Sequence, residues 1–245
     1  MRNGYVGRVI EMKAKISATT LKYVVDAASR LIDEGTLEFK ADGMRIRDMD
    51  PSQIAMVDAF VPRKSFVDYS EFPTEGPDVV EKLGVNIKFL KQVVGKATGD
   101  VAMSTEENKL HLSFGKKEFS VGLLDLAHNI RKTPKVENAL EFKASPTDFF
   151  GWIGDVELAS SHVVFKSVEG KLRATGMGDA GEVSDDTGLA CAELNVILPI
   201  DFLKNMNLKA ETMSFFLKKN APCRIEYRTK DISVDYWLAP RIEPG

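Results

Sequence analysis

Residues 87–91 read IKFLK and residues 200–204 read IDFLK, a near-repeat at a separation of 113 positions (200 minus 87). The same separation places KEFSVGLL (117–124) on KDISVDYW (230–237). Each match is short, but two matches that share one separation indicate that the chain contains two copies of one structural unit.

A third match extends the repeat towards the N-terminus. LEFKADGMRIR (37–47) resembles VVFKSVEGKLR (163–173) at a separation of 126 (163 minus 37), so the middle section of the second copy is the shorter one. Between the copies lies an irregular stretch with Pro134, which we interpret as an exposed linker. Residues 1–11 precede a second methionine, Met12, and are predicted to be a short extension or an added strand. The predicted divisions are 1–125 for the first unit, 126–139 for the linker and 140–245 for the second unit.

Each copy combines helices with short strands. Leu21, Val24 and Val25 recur at helical spacing, and Thr19 is placed to cap the N-terminus of that helix. Runs of alternating hydrophobicity, separated by turn sequences such as ADG and EENK, indicate antiparallel strands. The pattern therefore predicts an α+β fold. The predicted helices cover about 19–33, 86–97, 146–159 and 199–207.

The composition limits the class of protein. The net charge is −3, and 44% of the residues are hydrophobic and 28% charged. These values allow one large domain or two ordinary ones and exclude a uniformly basic nucleic-acid binder. Since no apolar run approaches the ~18 residues of a membrane span and no signal-peptide pattern opens the chain, we expect a soluble cytoplasmic protein. Cys191 and Cys223 lie in strand-like apolar contexts, which favours buried thiols over a disulfide.

The sequence contains no persuasive catalytic or metal-binding motif. His111, His128 and His162 are scattered, and no phosphate-loop, dinucleotide, zinc or nucleophile-elbow pattern occurs. GMGDAG (176–181) is rich in glycine, but no helical pattern follows it to hold a phosphate at a helix N-terminus. We therefore expect no catalysis, no metal and no cofactor. An enzyme on a β-rich scaffold is the rival interpretation from another class.

Three distant stretches carry a resemblance to one family. LIDEGTLEFKADGMRIRDMDPSQIAMVD (31–58), FSVGLLDL (119–126) and YWLAPRIE (236–243) resemble the proliferating cell nuclear antigen family of DNA sliding clamps, especially its archaeal members. The resemblance covers the chain from Met12 to its end. It implies the DNA clamp fold, in which two repeated units place helices on the inside of a ring, usually of three subunits, and antiparallel sheets on its outside.

The resemblance also implies a function. Such a ring encircles duplex DNA and has neither catalysis nor a cofactor of its own. In replication and repair it is a processivity factor that tethers DNA polymerases, ligases and nucleases through short peptide motifs, and a separate clamp loader opens it. It would lie with the nucleoid, or in the nucleus of a eukaryote. One alternative is a subunit of a hetero-oligomeric or checkpoint-type clamp, and another is a peptide-binding adaptor that never encircles DNA.

The apolar C-terminal stretch DYWLAPRIEPG (235–245) acquires a role through the resemblance, because the tail of a clamp forms one wall of a groove for partner peptides. Methionines are deformable, so such a groove can accept several partner helices by their apolar residues. Thr133 stands where the family often has a larger apolar residue, which makes the linker wall polar. The residues that the resemblance assigns to the partner groove are Met49, Ile54, Met56, Leu126, Ile130, Pro222, Trp237, Ala239 and Pro240.

The exposed faces of the predicted helices carry the DNA contacts that the resemblance implies. The second helix is basic, whereas the third has Trp152 and Asp155 at positions where family members usually carry basic residues. Contacts with phosphate are expected to be non-specific and salt-dependent. The residues predicted to face DNA are Lys22, Arg30, Lys88, Lys91, Lys96, Lys204 and Lys209.

Clamp subunits join edge strand to edge strand, which pairs backbone groups that would otherwise be exposed. The resemblance places the two edges at about 110–117 and 180–186. Lysines end the first edge and the second is acidic, so opposite charges favour head-to-tail contact and closure of a homotrimer. Because the second edge is short and poor in apolar residues, a heterotrimer stays open as an alternative. The predicted interface residues are Lys116, Lys117, Glu182, Asp185 and Asp186.

Overall fold

The structure is a computed structural model that describes residues 12–69, 81–126, 132–179 and 181–241. Helices alternate with antiparallel strands along these residues, and a short 3₁₀ turn at Arg63–Ser65 joins β4 to β5. The elements in chain order are β1 (Lys13–Ser17), α1 (Ala18–Ser29), β2 (Glu34–Lys40), β3 (Gly43–Met49), β4 (Ala55–Pro62), β5 (Phe66–Asp68), β6 (Glu81–Asn86), α2 (Ile87–Gly95), β7 (Asp100–Glu106), β8 (Lys109–Phe114), β9 (Lys117–Gly122), β10 (Leu140–Ala144), α3 (Pro146–Glu157), β11 (His162–Val168), β12 (Lys171–Gly178), β13 (Gly181–Ala190), β14 (Asn195–Pro199), α4 (Ile200–Asn205), β15 (Met213–Leu217), β16 (Cys223–Arg228) and β17 (Ser233–Leu238).

The chain forms two compact units that interleave in sequence. Two short pieces of the first half of the sequence belong to the second unit, and hydrogen bonds explain why. The Tyr236 hydroxyl donates to the carbonyl of Ala27 (2.8 Å), and the Ala239 N–H donates to the carbonyl of Ile54 (2.9 Å). The linker boundaries that the repeat predicts stay a prediction. The first unit contains residues up to 26, 33–46 and 60–128, and the second contains 27–32, 47–59 and 129–245.

In the first unit, one antiparallel sheet has the strand order β5-β1-β7-β8-β9, and strands β6, β2 and β3 are neighbours in another. Alternate residues of the strands are buried, as with Ala14 and Ile16 on β1, which is the period-2 pattern of a sheet with one covered face. Helix α2 begins after Asn86, whose side chain accepts the Phe89 N–H (2.7 Å). The apolar face of this helix contacts β2 and β6.

The free edge of the five-stranded sheet differs from the prediction. Strand β8 lies between β7 and β9, so residues 110–114 are interior to the sheet and the prediction of an edge at 110–117 is wrong. The reason is the turn at Gly115, which has a φ of +59° and folds β9 back along the outer side of β8. Lys116 therefore lies in the turn, and Lys117 is the first residue of the true edge strand, β9.

In the second unit, one sheet has the order β13-β12-β11-β14, and strands β10, β15, β16, β17 and β4 are successive neighbours in another. Phe149 of α3 lies between these sheets, with ring centroids 5.8 Å from Phe165 and 4.7 Å from Phe215. Ser145 caps this helix by accepting the Asp148 N–H (3.0 Å). The α+β class with antiparallel sheets is confirmed.

The four predicted helices are present, and all four are shorter than predicted. Helix α1 begins at Ala18, and its cap is Ser17, whose hydroxyl accepts the Thr20 N–H (3.1 Å), so the prediction of Thr19 as the cap is wrong. The helix ends at Ser29, and the apolar periodicity runs on because Leu31 is buried in the turn that follows. Periodicity alone does not separate a helical turn from a buried turn of another kind.

Candidate functional site

The tail that follows β17 is held in place by regular pairing. Strand β17 pairs with β16 in antiparallel register, with Leu238 opposite Cys223. Continuing this register by one residue places Ala239 opposite Pro222, so two of the predicted groove residues are neighbours. Burial raises the pKa of the Cys223 thiol to about 12, so this thiol is protonated at neutral pH and serves as an apolar core group.

The loop between β3 and β4 is organised by Asp50. Its carboxylate accepts the N–H groups of Ser52 (2.8 Å), Ile54 (2.8 Å) and Ala55 (2.6 Å), as well as the Ser52 hydroxyl. Burial by itself would raise the pKa of Asp50, but these hydrogen bonds outweigh burial and lower it. The loop holds Ile54 with 38% of its surface exposed, while the Ile54 carbonyl accepts the N–H of Ala239.

Asp50 has no role among the predicted site residues, although the sequence contains a usable signal. Aspartate followed by proline and serine is typical of a turn in which the carboxylate accepts N–H groups further along the chain. The structure therefore adds Asp50 as the residue that positions Ile54 against the tail.

The predicted groove residues divide by burial. Met56 and Trp237 are 2% and 6% exposed, so both side chains are buried, and Trp237 lies on the same sheet face as Arg224, its partner across the strands. Leu126 belongs to the first unit, where its Cγ would lie 3.0 Å from a Cβ built on Gly84. Ile130 lies outside the described residues. The half-buried members are Met49, Pro222, Ala239 and Pro240.

A row of ion pairs between β16 and β17 lies beside the tail, and the sequence analysis did not predict it. Arg224 Nε donates to Asp235 Oδ1 (2.7 Å), and Arg228 donates to Asp235 Oδ2 (2.8 Å). Both arginines also pair with Glu226. The Arg224 guanidinium lies 5.8 Å from the ring centroid of Trp237. The ion pairs between the facing strands and the cation–π contact therefore hold the charged side chains in place over the Trp237 ring.

The predicted DNA-facing lysines of α2 have partners of their own. Lys88 lies 2.7 Å from Asp33, and Lys91 lies 2.6 Å from Asp26. The ammonium group of Lys96 is 6.0 Å from the ring centroid of a phenylalanine on β9. Exposed ion pairs of this kind contribute little stability, about 0–1 kcal/mol. A phosphate group can therefore displace the carboxylates at small cost.

The second unit has a different distribution of charge. Lys204 of α4 pairs with Glu157 of α3 at 2.7 Å. Helix α3 contains no lysine or arginine, and its exposed positions include Gly151, Gly154 and Asp155. The basic surface is thus uneven, with α2 as its strongest part. The other residues predicted to face DNA are Lys22 and Arg30, which are half-buried, and Lys209, which is exposed.

Strand β13 is at the end of its sheet and carries the predicted acidic edge, of which residue 180 lies outside the described chain. Asp186 accepts the Gly188 N–H (2.9 Å) and the Lys171 ammonium (3.3 Å), and these contacts lower its pKa. Burial raises the pKa of Asp185, and the nearby charge of Asp155 raises it further. Asp186 is therefore engaged within its own sheet.

Within the described residues, no group of three or more histidine, cysteine, aspartate or glutamate side chains is arranged to hold a metal ion. None of the helices in that part of the chain is long and apolar enough to cross a membrane.

The chain is similar to DNA sliding clamps along nearly its whole length. Residues 9–119 match the profile of the proliferating cell nuclear antigen N-terminal domain. The DNA polymerase sliding clamp of Methanococcus maripaludis (strain C7 / ATCC BAA-1331) is 28% identical over 257 aligned residues, which cover 94% of this chain and 99% of that protein.

Two solved structures share the fold. A chain in the structure of the C-terminal region of FEN-1 bound to A. fulgidus PCNA superposes with a TM-score of 0.81 at 23% identity, covering 96% of this chain and 100% of that chain. A chain in the PCNA2–PCNA3 complex from Sulfolobus tokodaii gives a TM-score of 0.77 at 23% identity, with 95% and 100% covered.

Proposed function

We propose that the chain is a DNA sliding clamp of the proliferating cell nuclear antigen family, whose subunits close into a ring around duplex DNA. The observation that carries the proposal is the continuous match, in sequence and in fold, to sliding clamps over more than nine-tenths of the chain. A function that depends on encircling DNA needs the whole fold and not one cluster of residues.

The ring binds DNA weakly and without sequence preference. Lys88 and Lys91 on α2, with Lys96 directly after it, are the strongest basic group on the helices, while α3 contributes no positive charge. Such a lining suits a clamp, because topology retains the DNA and tight phosphate contacts would hinder sliding. The contacts weaken steeply with salt, as phosphate contacts do.

Partners bind at the tail through short peptide motifs. Ile54, held by Asp50 and hydrogen-bonded to Ala239, offers exposed apolar surface beside a backbone that is already fixed. A pre-organised apolar wall lowers the entropy cost of binding a peptide. The partners are a DNA polymerase, a clamp loader, a ligase and a nuclease, and the chain itself carries out no catalysis.

The subunits associate head to tail as a homotrimer. Strand β9, which begins at Lys117 directly after Lys116 in the turn, meets strand β13 of the next subunit, where Glu182 and Asp185 carry negative charge. Two free strand edges of opposite charge favour this contact over the meeting of like edges.

Light scattering over a dilution series, at low and moderate salt, tests the assembly. A species of roughly 81 kDa, three times the 27.1 kDa chain, is the expected result, and salt should promote its dissociation. A mass of 27.1 kDa at every concentration would contradict a self-closing ring. The search would then turn to related subunits that complete it.

Retention on DNA tests the encircling function directly. A ring that has been loaded on a nicked circular DNA should stay bound through a salt wash. It should leave when a restriction enzyme makes the DNA linear. Replacing Lys88 and Lys91 with alanine should reduce clamp-dependent primer extension, whereas Lys143→Ala, an exposed lysine on β10, should not. Equal retention on circular and linear DNA would contradict the proposal.

A further inference from the structure

A row of three side chains crosses the sheet beside the tail. The antiparallel register places Phe216 of β15 opposite Arg224 of β16, and Arg224 opposite Trp237 of β17. Residues that face each other across paired strands lie on one face of the sheet. The guanidinium carbon of Arg224 is 5.1 Å from the Phe216 ring centroid and 5.8 Å from the Trp237 ring centroid. A cation therefore lies between two aromatic rings.

This row adjoins the predicted partner groove. Side chains two residues apart on a strand point to the same face, so Pro222 lies beside Arg224 and Ala239 lies beside Trp237 on one surface. The Ala239 N–H donates to the carbonyl of Ile54 (2.9 Å), which holds the loop between β3 and β4 against the tail. The two rings are therefore next to the surface at which partner peptides are proposed to bind.

Two carboxylates hold Arg224 in this position. Its Nε donates to Asp235 Oδ1 (2.7 Å), and a second nitrogen donates to Glu226. Arg228 pairs with the same carboxylates, at 2.8 Å from Asp235 and 3.0 Å from Glu226. The side chains of Asp235 and Glu226 are 12% and 20% exposed. A peptide that pushed Arg224 aside would leave two largely buried carboxylates with one cation, which is unfavourable.

Net charge does not select a partner at this surface. The neighbouring strands β10, β15, β16 and β17 carry three basic and three acidic side chains, all on this face of the sheet. They are Lys143, Arg224 and Arg228, and Glu141, Glu226 and Asp235. On the next strand, β4, Asp58 pairs with Arg47 at 2.6 Å. Because these charges cancel, selection of a peptide has to depend on shape and on the apolar surface that is accessible.

We propose that Arg224 is a specificity-determining residue of the partner groove, because its guanidinium fills the space between Phe216 and Trp237 that an aromatic side chain of a peptide could otherwise occupy. This rests on the proposed function, in which short peptide motifs bind at the tail. Trp237 is 6% exposed with Arg224 in place, whereas Ile54 is 38% exposed. Partner motifs of this chain are therefore anchored by aliphatic side chains. Without the guanidinium, the two rings would form a slot in which an aromatic side chain stacks.

Fluorescence tests whether Arg224 covers the ring. In a Trp152→Phe background Trp237 is the only tryptophan, so quenching by acrylamide reports its exposure alone. Arg224→Ala should raise the quenching constant. Arg228→Ala is the matched control, because Arg228 pairs with the same carboxylates but lies opposite Ser233, and it should leave quenching unchanged. If Arg224→Ala does not fold, Arg224→Lys, which keeps the charge but lacks the flat guanidinium, should raise quenching by a smaller amount.

Two capped helical peptides of about twelve residues test the selection of partners. Both have a background of alanine and lysine, and one carries leucine and the other phenylalanine at positions i, i+3 and i+4. Fluorescence anisotropy of the dye-labelled peptides measures their affinity for the full chain. The wild type and Arg228→Ala should bind the leucine peptide at least as tightly as the phenylalanine peptide. Arg224→Ala should bind the phenylalanine peptide about tenfold more tightly than the wild type does, with little change for the leucine peptide.

Ile54→Glu should weaken the binding of both peptides, which would place them in the groove. The proposal is overturned if Arg224→Ala leaves quenching unchanged, if the wild type already prefers the phenylalanine peptide, or if Arg224→Ala does not change the preference. If neither peptide binds in a way that depends on Ile54, both the groove and this role of Arg224 are wrong. The encircling of DNA is judged separately, by retention on circular DNA.

Discussion

Gly84 in β6 and Ile197 in β14 lie at corresponding places, because each strand runs directly into the helix that contains the repeated IKFLK or IDFLK sequence. The carbonyl of each accepts an N–H from the segment that leaves the last strand of its half. Leu124 donates to Gly84 (2.8 Å), and Arg241 donates to Ile197 (2.9 Å). At these two contacts the backbones approach to different distances. A Cβ on Gly84 would lie 2.3 Å from the Leu124 carbonyl oxygen, whereas Ile197 carries a full side chain at the corresponding place.

This comparison shows that the linker leaves the first half by the same backbone route as the tail leaves the second. Backbone hydrogen bonds determine where the departing segment runs. The side chain at the contact, absent at Gly84 and present at Ile197, determines how closely that segment approaches. The surfaces of the two halves differ in charge, with the basic helix α2 in one and the acidic helix α3 in the other. Each half can therefore serve a different partner from one repeated core.

The largest expected effect comes from adding a side chain at Gly84, where the corresponding residue of the second half, Ile197, already has one. Gly84→Ala should destabilise the protein by about 3 kcal/mol, because the new Cβ meets the Leu124 carbonyl oxygen, and moving that residue away disturbs the hydrogen bond from its N–H to Gly84. Ile197→Ala is the matched change in the second half and should cost about 1 kcal/mol through lost apolar burial. Chemical denaturation measures both, and similar midpoints for the two variants would contradict the close approach at Gly84.

A second test uses the connection that follows the first hairpin of each half. Asp50→Ala should destabilise the protein by about 2 kcal/mol, since three backbone N–H groups and one hydroxyl lose their acceptor. Asp179→Ala, in the tighter turn after β12, should have little effect. The tail should also loosen in Asp50→Ala, which hydrogen exchange at the Ala239 amide would report.

The pH dependence of this effect has a definite sign. The pKa of Asp50 is lowered in the folded protein, so the stability that it contributes is present above its ordinary value of 3.8 and is lost as the pH falls through the lowered value. The difference between wild type and Asp50→Ala should therefore shrink below pH 3.8. A difference that grows with acidity would contradict the assigned hydrogen bonds.

The features predicted correctly from the sequence are those with a local pattern. Helix α2 has a period-3.6 apolar face, and the repeat of this segment at α4 is visible in the sequence itself. Alternation likewise predicts the strands. It does not predict which strand of the β8–β9 hairpin is outermost, because both strands alternate in the same way.

The candidate site was predicted less completely, because its properties depend on contacts between distant residues. An apolar pattern does not tell how far the Trp237 side chain is exposed, and the structure leaves only 6% of it accessible, beside Arg224. The pairing of Lys88 with Asp33 joins a helix to the residue before a strand. A lysine that is free in a helical-wheel projection thus already has a partner.

The third prediction concerns the two sheet edges. Lys116→Glu with Lys117→Glu should weaken self-association about tenfold, because β9 would then present negative charge to an acidic edge. Adding Glu182→Lys and Asp185→Lys should restore association. Sedimentation velocity over a dilution series measures both, and a control pair, Lys218→Glu with Lys219→Glu, should leave the oligomer unchanged. If the four-residue variant does not regain association, charge does not determine which strand edges meet.

The smallest expected effect separates two neighbours on β13. The pKa of Asp185 is raised by burial and by nearby Asp155, so its charge costs stability above the raised value and costs nothing below 3.8. Asp185→Asn should therefore stabilise the subunit at pH 7 by a few tenths of a kcal/mol, as expected when one of two like charges is removed. Asp186→Asn should destabilise it, because the Gly188 N–H and Lys171 lower the pKa of Asp186. Both substitutions are made in a variant of the chain that does not self-associate, and their unfolding temperatures are measured at pH 7 and pH 3. The two variants should shift the unfolding temperature at pH 7 in opposite directions, and shifts of the same sign would mean that both carboxylates share one environment.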